Sequence, residues 1–314
     1  MASNNLRIIY QNLIDFSGTG TIAVSSTAGV SSAAYLKYDY KALRWRSVAA
    51  STTTARSAFI VTTSTASSIG GIILAFSNLS SSAKIRVRGY TGTTPTVNTV
   101  TDATTAPTIT TTGATLQFDT SPGGVSSGTV AAPYQGQGDW SWGINTALSN
   151  AYYNKYVYAR IWLTPAQQAF NCTSWVIEIE DTACTDQYLE VGRIIMGKYW
   201  SPKYNTSYGL SATIKDLSTS ERTEAGDLVT KEAPYFNTLS LELRYMDKND
   251  RAELLKLYRT LGTRRPLFIS VFPDNSDDWG KEGTYQLFGK FSTITGISHT
   301  MFDIYASQLD IEEV

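Results

Sequence analysis

Apolar and polar residues alternate along the first two thirds of the chain. In the segment KIRVRG, Ile85 and Val87 alternate with Lys84, Arg86 and Arg88. A period of two predicts a β-strand with one buried face. Similar segments, separated by Gly, Ser, Thr and Asn clusters, are LRIIY, TIAVSS, SAFIVTT, GGIILAF, YVYARIWL, SWVIEIED and LEVGRIIMG. Together they predict an antiparallel β-sandwich over residues 1–197.

A Thr-rich segment, residues 91–137, interrupts this pattern. It is dominated by Thr, Ser, Gly, Pro and Ala and carries almost no charge. Such a composition buries little apolar surface, so we expect an insertion that leaves the sandwich or a β-rich arm lying against another surface. The Thr content favours extended backbone.

The pattern changes after residue 200. TLSLELRYM alternates as a strand, and DKNDRAELLKLYRTLG follows it directly. Asp247 is a candidate helix cap, an apolar stripe includes Leu254 and Leu261, and Gly262 offers a stop, which together predict a helix over 248–261. The apolar run PLFISVF predicts a strand buried on both faces, followed by YQLFGKFSTI and MFDIYASQLDIEEV. We therefore expect a second domain, 198–314, built as a small β-barrel or sandwich with one helix.

A connecting segment, KYWSPKYNTSYG, lies between the two predicted domains. Pro202 keeps the residue before it extended. The aromatic side chains of this segment supply contact area at low entropy cost, which favours a role as a strap or subunit interface. Its candidate contact residues are Tyr199, Trp200, Tyr204 and Tyr208. A charged loop, 218–236, is predicted to reach an adjacent subunit through Arg222, Glu224, Asp227 and Lys231.

Composition excludes several classes of partner. The 26 basic and 27 acidic residues nearly cancel, so no global field attracts nucleic acid. The longest apolar run, IGGIILAF, is too short to cross a bilayer, and no signal peptide is evident, so we expect a soluble, unexported chain. Cys172 and Cys184 fit no zinc pattern and are predicted to be unpaired thiols.

Reactive groups form no recognisable catalytic motif. The sequence contains a single histidine, His299, and no Gly-x-Ser-x-Gly nucleophile elbow. We therefore interpret His299 as a turn or interface residue. The acidic cluster at Asp274, Asp277 and Asp278 lacks calcium-loop spacing and favours a solvated turn. Phosphate-binding glycine motifs are absent from the sequence. We expect no catalytic residues, metal or cofactor, and hence no enzyme.

A glycosidase remains a third alternative, since two carboxylates can meet only in the fold. The candidates for this pair of carboxylates are Asp139, Glu178 and Glu180. Alternation favours Glu178 and Glu180 as the polar face of a strand. Aromatic residues offer a further candidate surface, because exposed rings stack on sugars or on proteins and buried rings fill a core. Candidate glycan-binding residues are Trp140, Trp142, Tyr152 and Tyr153.

Two resemblances suggest a role. The segments AAYLKYDYKALRWRS and IGGIILAFSNLSSSAKIRVRGY resemble parts of galactose-binding-like jelly rolls, as found in carbohydrate-binding modules. Over the whole chain, NNLRIIYQNLID, GRIIMGKYWSPKYNTSYG, FGKFSTI and LDIEEV resemble tail-tip proteins of long-tailed bacteriophages. The second domain is similar to the tube-like β-barrel of distal tail and baseplate proteins.

These resemblances imply a structural subunit of a virion tail tip, assembled in the host cytoplasm. Its expected partners are copies of itself in a hexameric or trimeric ring, together with tail-tube, hub and other baseplate proteins. The alternative is an adhesin that binds host glycan through the first domain. Neither nucleic-acid binding nor membrane insertion is expected. The phage-family motifs carry no catalytic positions to transfer, and the Thr-rich insertion departs from a simple sugar-binding sandwich.

Overall fold

The protein is mainly β, as predicted. A computed structural model describes residues 5–16, 20–80, 82–127, 129–130, 157–273 and 284–314. Short helices are α1 (Leu13–Phe16), α2 (Pro165–Gln168) and the 3₁₀ helices Ala33–Lys37 and Val125–Ser127, whereas α3 (Lys248–Leu261) is long.

The strands have the following bounds. The earlier strands are β1 (Arg7–Ile9), β2 (Thr21–Val24), β3 (Trp45–Arg46), β4 (Ala55–Ser67), β5 (Gly71–Ser77), β6 (Lys84–Gly92), β7 (Thr96–Val97), β8 (Ile109–Thr110), β9 (Ala114–Asp119), β10 (Thr129–Val130), β11 (Val157–Trp162), β12 (Cys172–Asp181), β13 (Glu190–Val191) and β14 (Arg193–Gly197). The later strands are β15 (Ser211–Asp216), β16 (Thr219–Arg222), β17 (Leu228–Lys231), β18 (Tyr235–Met246), β19 (Leu267–Ser270), β20 (Gln286–Thr293), β21 (Ser298–Met301) and β22 (Ile304–Glu313).

The chain forms two compact units. The sandwich unit begins at Ile9 and ends at Tyr199, and the C-terminal unit combines the residues up to Ile8 with Trp200–Val314. The sequence placed the boundary at 197/198, two residues earlier, and assigned the first residues to the sandwich. They belong instead to the other unit, because β1 is hydrogen-bonded to β19 at the end of the large C-terminal sheet.

The sandwich unit contains antiparallel sheets whose apolar faces form one core. One sheet has the order β10-β6-β12-β4-β2 with β9 paired to β6, and another has the order β11-β5-β14. Trp45 packs edge-on against Phe59 with ring centroids 4.7 Å apart, and Trp175 is buried beside them in the same core. Ile85 and Val87 also lie in this core, which confirms the face predicted by alternation.

The described part of the Thr-rich insertion builds onto the sandwich. Strand β9 extends the large sheet along β6, and β7 pairs with β8 as a small hairpin. Val97 and Ile109 of that hairpin pack against Ile60, Tyr90 and Val176, which lie on the face of the sheet opposite the main core. Threonine therefore supplies extended backbone here, while a few apolar side chains attach the insertion to its own domain.

The described part of the C-terminal unit is a curled sheet against which helix α3 packs. Its strand order is β1-β19-β20-β22-β18-β15, with β21 paired to β22. The side chain of Asp247 accepts hydrogen bonds from two backbone N–H groups at the start of α3, and Gly262 caps its end at φ 56°, as predicted. Tyr258 of α3 packs on Phe291 and lies 3.0 Å from the Ser307 hydroxyl. Strand β19 is buried at every position, which confirms the prediction from its apolar run.

Candidate functional site

The two candidate carboxylates on β12 are bound by arginines. Glu178 lies 2.8 Å from the Arg88 guanidinium and 3.4 Å from that of Arg86, and Glu180 lies 2.7 Å from Arg56. These pairs run across neighbouring strands of the large sheet. The interpretation of Glu178 and Glu180 as the polar face of a strand is confirmed. Asp139, the third glycosidase candidate, lies outside the described residues.

The arginine pairs continue onto the Thr-rich insertion. Arg86 also pairs with Asp119 of β9 at 2.6 Å. Burial acts to raise the pKa of Asp119, but the hydrogen bonds it accepts from Arg86 and from the Ser121 backbone outweigh that effect and lower it. The pair between Arg86 and Asp119 therefore attaches the inserted strand β9 to the sandwich. Its role is structural.

His299 lies on exposed strand β21, opposite Tyr305 on β22. The two rings stack with centroids 4.8 Å apart and an interplanar angle of 16°. Aromatic stacking across a strand pair accounts for this histidine without a catalytic role. The acidic residues Asp274, Asp277 and Asp278 lie outside the described part of the chain.

The predicted interface loop is a β-hairpin in the C-terminal unit. Strands β16 and β17 pair from Thr219 with Lys231 to Arg222 with Leu228, and every residue of both strands is exposed. Leu228 and Val229 keep 59% and 57% of their surface in contact with solvent. A two-stranded ribbon buries too little surface to be stable alone, so contact with a partner would stabilise it.

The turn of this hairpin is ordered by its own hydrogen bonds. The Thr223 N–H donates to the Asp227 carbonyl at 2.9 Å, and Gly226 adopts φ 88°, a conformation that favours glycine. The Arg222 guanidinium donates to the Gly226 carbonyl at 2.8 Å. Of the predicted contact residues, Glu224 lies in this turn, Asp227 closes it, and Lys231 lies at the far end of β17. We call residues 219–231 the exposed hairpin.

An exposed sheet edge adjoins the exposed hairpin in the sequence. Strand β15 pairs only with β18 in the described sheet, and five of its six residues are exposed. Ile214 is among them. An edge strand presents unpaired N–H and C=O groups that another strand can bind. Sequence alternation did not predict β15, because its apolar residues are few.

The predicted strap residues occupy different environments. Trp200 is 9% exposed, and its backbone forms two hydrogen bonds with Ile8. Tyr199 packs edge-on against Trp162 in the sandwich unit, with centroids 5.5 Å apart. Tyr204 and Tyr208 are exposed in the C-terminal unit. Only these last two have rings available to a partner in this structure, so the four do not form one surface.

The predicted glycan-binding residues Trp140, Trp142, Tyr152 and Tyr153 lie outside the described residues. The structure instead exposes another aromatic group in the sandwich unit: Tyr38 and Tyr40 are 46% and 67% exposed, beside Tyr35. We call residues 35–40 the aromatic loop. The spacing of tyrosine in YLKYDY was the available signal, but the sequence analysis used this segment only as a marker of architecture.

A buried arginine holds the aromatic loop in place. Arg193 is 2% exposed, and its guanidinium lies 3.2 Å from the Asp39 carboxylate and 2.5 Å from that of Asp15. The Tyr38 N–H also donates to the Tyr35 carbonyl at 3.0 Å. Burial raises the pKa of Asp15, and Arg193 opposes that shift. Tyrosine rings on such an anchored loop lose little entropy on binding a ligand.

Within the described ranges, no group of three or more His, Cys, Asp or Glu residues could hold a metal ion. No helix among the same residues combines the length and apolarity that crossing a membrane requires.

Comparison with known proteins places the chain in no family. No protein-family model matches it, and no curated protein matches it significantly. Among solved structures it is similar to CBM32-1 from a family 31 glycoside hydrolase of Clostridium perfringens, at 9% sequence identity and a TM-score of 0.29. The similarity covers 56% of this chain and 94% of that one. A TM-score this low supports no conclusion about ligand or activity.

Proposed function

We propose that the protein is a structural subunit of a bacteriophage tail tip or baseplate, and that its copies form a ring joining the tail tube to the host-recognition apparatus. One observation carries the assembly part of this proposal: the C-terminal unit presents the exposed hairpin next in sequence to the open edge strand β15. The virion part rests on the resemblance of the segments quoted above to tail-tip proteins.

The physical argument is that exposed β-structure is normally protected. Soluble proteins shorten, charge or cover their sheet edges because unpaired strands bind one another. Here Ile214 on β15 and Leu228 and Val229 on the hairpin are exposed together with the charged side chains of Lys215 and Asp216. Charges at such an edge discourage unspecific aggregation and select a complementary partner. A specific neighbour in an assembly would cover these residues.

Self-assembly is tested by measuring the mass of the purified chain at several concentrations by light scattering, with negative-stain microscopy for shape. The expected result is a closed ring with a mass that is a multiple of 34.4 kDa. The double substitution Leu228→Ser and Val229→Ser is expected to shift the population toward the monomer. Val30→Ser, at an exposed position of the sandwich unit, is the control and should leave the ring intact.

A persistent monomer would contradict the proposal, provided that it is seen both for the chain alone and in mixtures with tail-tube and hub proteins. If the variant with the hairpin substitutions still forms a ring, the hairpin is not part of the interface. Strand β15 would then be the surface to test. Recruitment of the chain into a ring by the tail proteins alone would support the virion role.

Glycan binding is the second candidate, favoured by the aromatic loop. Tyr38 and Tyr40 expose their rings on a loop that Arg193 holds through Asp39, and exposed, anchored tyrosine rings can stack on a sugar. Retention of the chain on host surface polysaccharide should then fall when Tyr38 and Tyr40 are both changed to Ala. Tyr204→Ala, at an exposed tyrosine of the C-terminal unit, is the control. Equal retention of all three proteins would contradict this candidate.

A further inference from the structure

The turn end of the exposed hairpin carries unpaired negative charge. Residues 221–227 contain three carboxylates, at Glu221, Glu224 and Asp227, and one guanidinium, at Arg222. None of the three carboxylates forms an ion pair within the described part of the chain, whereas Arg222 is bound to the Gly226 carbonyl. Each carboxylate is solvent-exposed. This end of the hairpin is therefore an acidic projection.

Helix α3 and the turn after it carry the opposite charge. Residues 248–265 contain six basic side chains and two acidic ones, which is a net excess of four positive charges. Arg251 lies over the Tyr305 ring at 4.4 Å, and Lys256 pairs with Glu253 at 3.1 Å. Arg259 and Arg264 are exposed and form no ion pair with any described residue. We call Arg259 and Arg264, at the C-terminal end of α3 and in the turn after it, the basic face.

Each feature has an ordinary explanation when taken alone. A cation in the last turn of a helix is stabilised by the helix dipole, which accounts for Arg259. Exposed carboxylates on a hairpin are solvated at little cost. Neither explanation accounts for an acidic projection on the same unit as two exposed guanidiniums, Arg259 and Arg264, that form no ion pair with a described residue. That combination is what a head-to-tail contact between identical subunits requires, because such a contact joins two different surfaces of one chain.

We propose that the acidic end of the exposed hairpin in one copy docks against the basic face of α3 in the next copy. This inference rests on the proposed ring assembly and names its contact. Hairpin-to-hairpin pairing would instead oppose like charges, which costs affinity. Glu224 and Asp227 face Arg259 and Arg264 across the contact. A contact of this kind repeats around an axis and closes into a ring when its rotation allows.

Charge reversal tests the contact. The variant Glu224→Lys with Asp227→Lys, and the variant Arg259→Glu with Arg264→Glu, should each weaken self-association by about tenfold or more at low salt. A chain that carries all four substitutions should regain most of the lost affinity, because the two surfaces again have opposite charge. Lys198→Glu, an exposed reversal in the sandwich unit, is the control and should leave association unchanged. Mass photometry at low and high NaCl provides the measurement.

The outcomes separate the contact from the assembly itself. A wild-type ring that is insensitive to both reversals would overturn the hairpin-to-helix contact and leave the proposed function standing. A wild-type chain that stays monomeric alone and with tail proteins would remove the proposed function and this contact with it. Failure of the fourfold variant to associate, despite a normal circular dichroism spectrum, would also overturn the pairing.

Introduced cysteines test the geometry directly. The native thiols Cys172 and Cys184 are buried, so they should not interfere. A mixture of Asp227→Cys chains with Arg259→Cys chains should form a disulfide between the two kinds of chain under mild oxidation. Asp227→Cys alone, and Asp227→Cys mixed with Val30→Cys, should give at most the background level. Efficient disulfides in Asp227→Cys alone would indicate hairpin-to-hairpin pairing and would overturn the proposal.

Discussion

Ile8 and Trp200 form two backbone hydrogen bonds with each other, each 2.8 Å long, in which each residue donates its N–H to the carbonyl of the other. This bridge attaches the first described residues to the start of the C-terminal unit. Asn5 strengthens it by donating its side-chain amide to the carbonyls of Pro202 and Lys203. The N-terminal segment is therefore part of the fold of the C-terminal unit.

The substitution Ile8→Pro should destabilise the C-terminal unit. Proline removes the Ile8 N–H and its bond to Trp200, and we expect the free energy of unfolding to fall by about 3 kcal/mol. Ile8→Val keeps the N–H and loses only part of a buried side chain, so about 1 kcal/mol is expected. Hydrogen exchange of α3 and β22 amides provides the measurement. Equal exchange in the two variants would contradict the role of the bridge.

Gly289 should not tolerate a side chain. A Cβ on Gly289 would lie 2.8 Å from the Glu312 carbonyl carbon and 2.9 Å from a methyl group of Ile311, on the neighbouring strand. Gly289→Ala must therefore move backbone, and we expect a loss of about 2 kcal/mol. At Gly296 nothing lies within 4 Å of the same position, so Gly296→Ala is the matched control. Urea unfolding midpoints that fall together for both variants would argue against a local clash.

Removal of Arg193 should lower the free energy of unfolding, because Asp15 and Asp39 would lose the cation that neutralises them. Arg193→Met leaves Asp15 and Asp39 without their shared cation, and we expect a loss of about 3 kcal/mol at pH 7. Asp15 already has a raised pKa through burial, and loss of Arg193 raises it further. A raised pKa in the folded state means that the folded state binds the proton more tightly, so the stability of the variant should increase as pH falls toward 4.

The control for this experiment is the triple variant Arg193→Met with Asp15→Asn and Asp39→Asn. It lacks both charges, so its stability should depend less on pH and should exceed that of Arg193→Met at pH 7. Thermal unfolding at pH 4 and pH 7 measures both effects. Identical pH profiles for the single and triple variants would contradict a charge-based cost.

The two cysteines should be unreactive in the folded protein. Burial raises the pKa of Cys172 to about 11, and the same cause, reinforced by Asp181, raises the pKa of Cys184 to about 11. At pH 8 almost no thiolate is present, and the thiolate is the reacting species. Alkylation monitored by mass spectrometry should modify neither thiol in the folded state and both in denaturant. Rapid modification of either native thiol would contradict the predicted burial.

Local patterns predicted the elements well. The apolar stripe, cap and stop residues located α3 at 248–261, and alternation identified β6 and β12 with their correct buried faces. The continuous apolar run predicted the fully buried β19. These features depend on near neighbours in the sequence, so a single chain contains the signal.

Long-range pairing could not be predicted in the same way. The residues of β1 read as a sandwich strand, because only their partner, β19, shows which sheet they join. The exposed hairpin read as a charged loop, since its strands lack a buried face that would produce alternation. The aromatic loop depends on Arg193, which follows Asp39 at a distance that no local motif spans.

The pairing of β1 with β19 sets an order of events during synthesis. The ribosome releases Arg7–Ile9 before the sandwich, but Leu267–Ser270 only after it. The sandwich can fold while the chain grows, whereas the first strand must wait for a partner from the last part of the sequence. Prematurely terminated chains therefore cannot complete the C-terminal sheet.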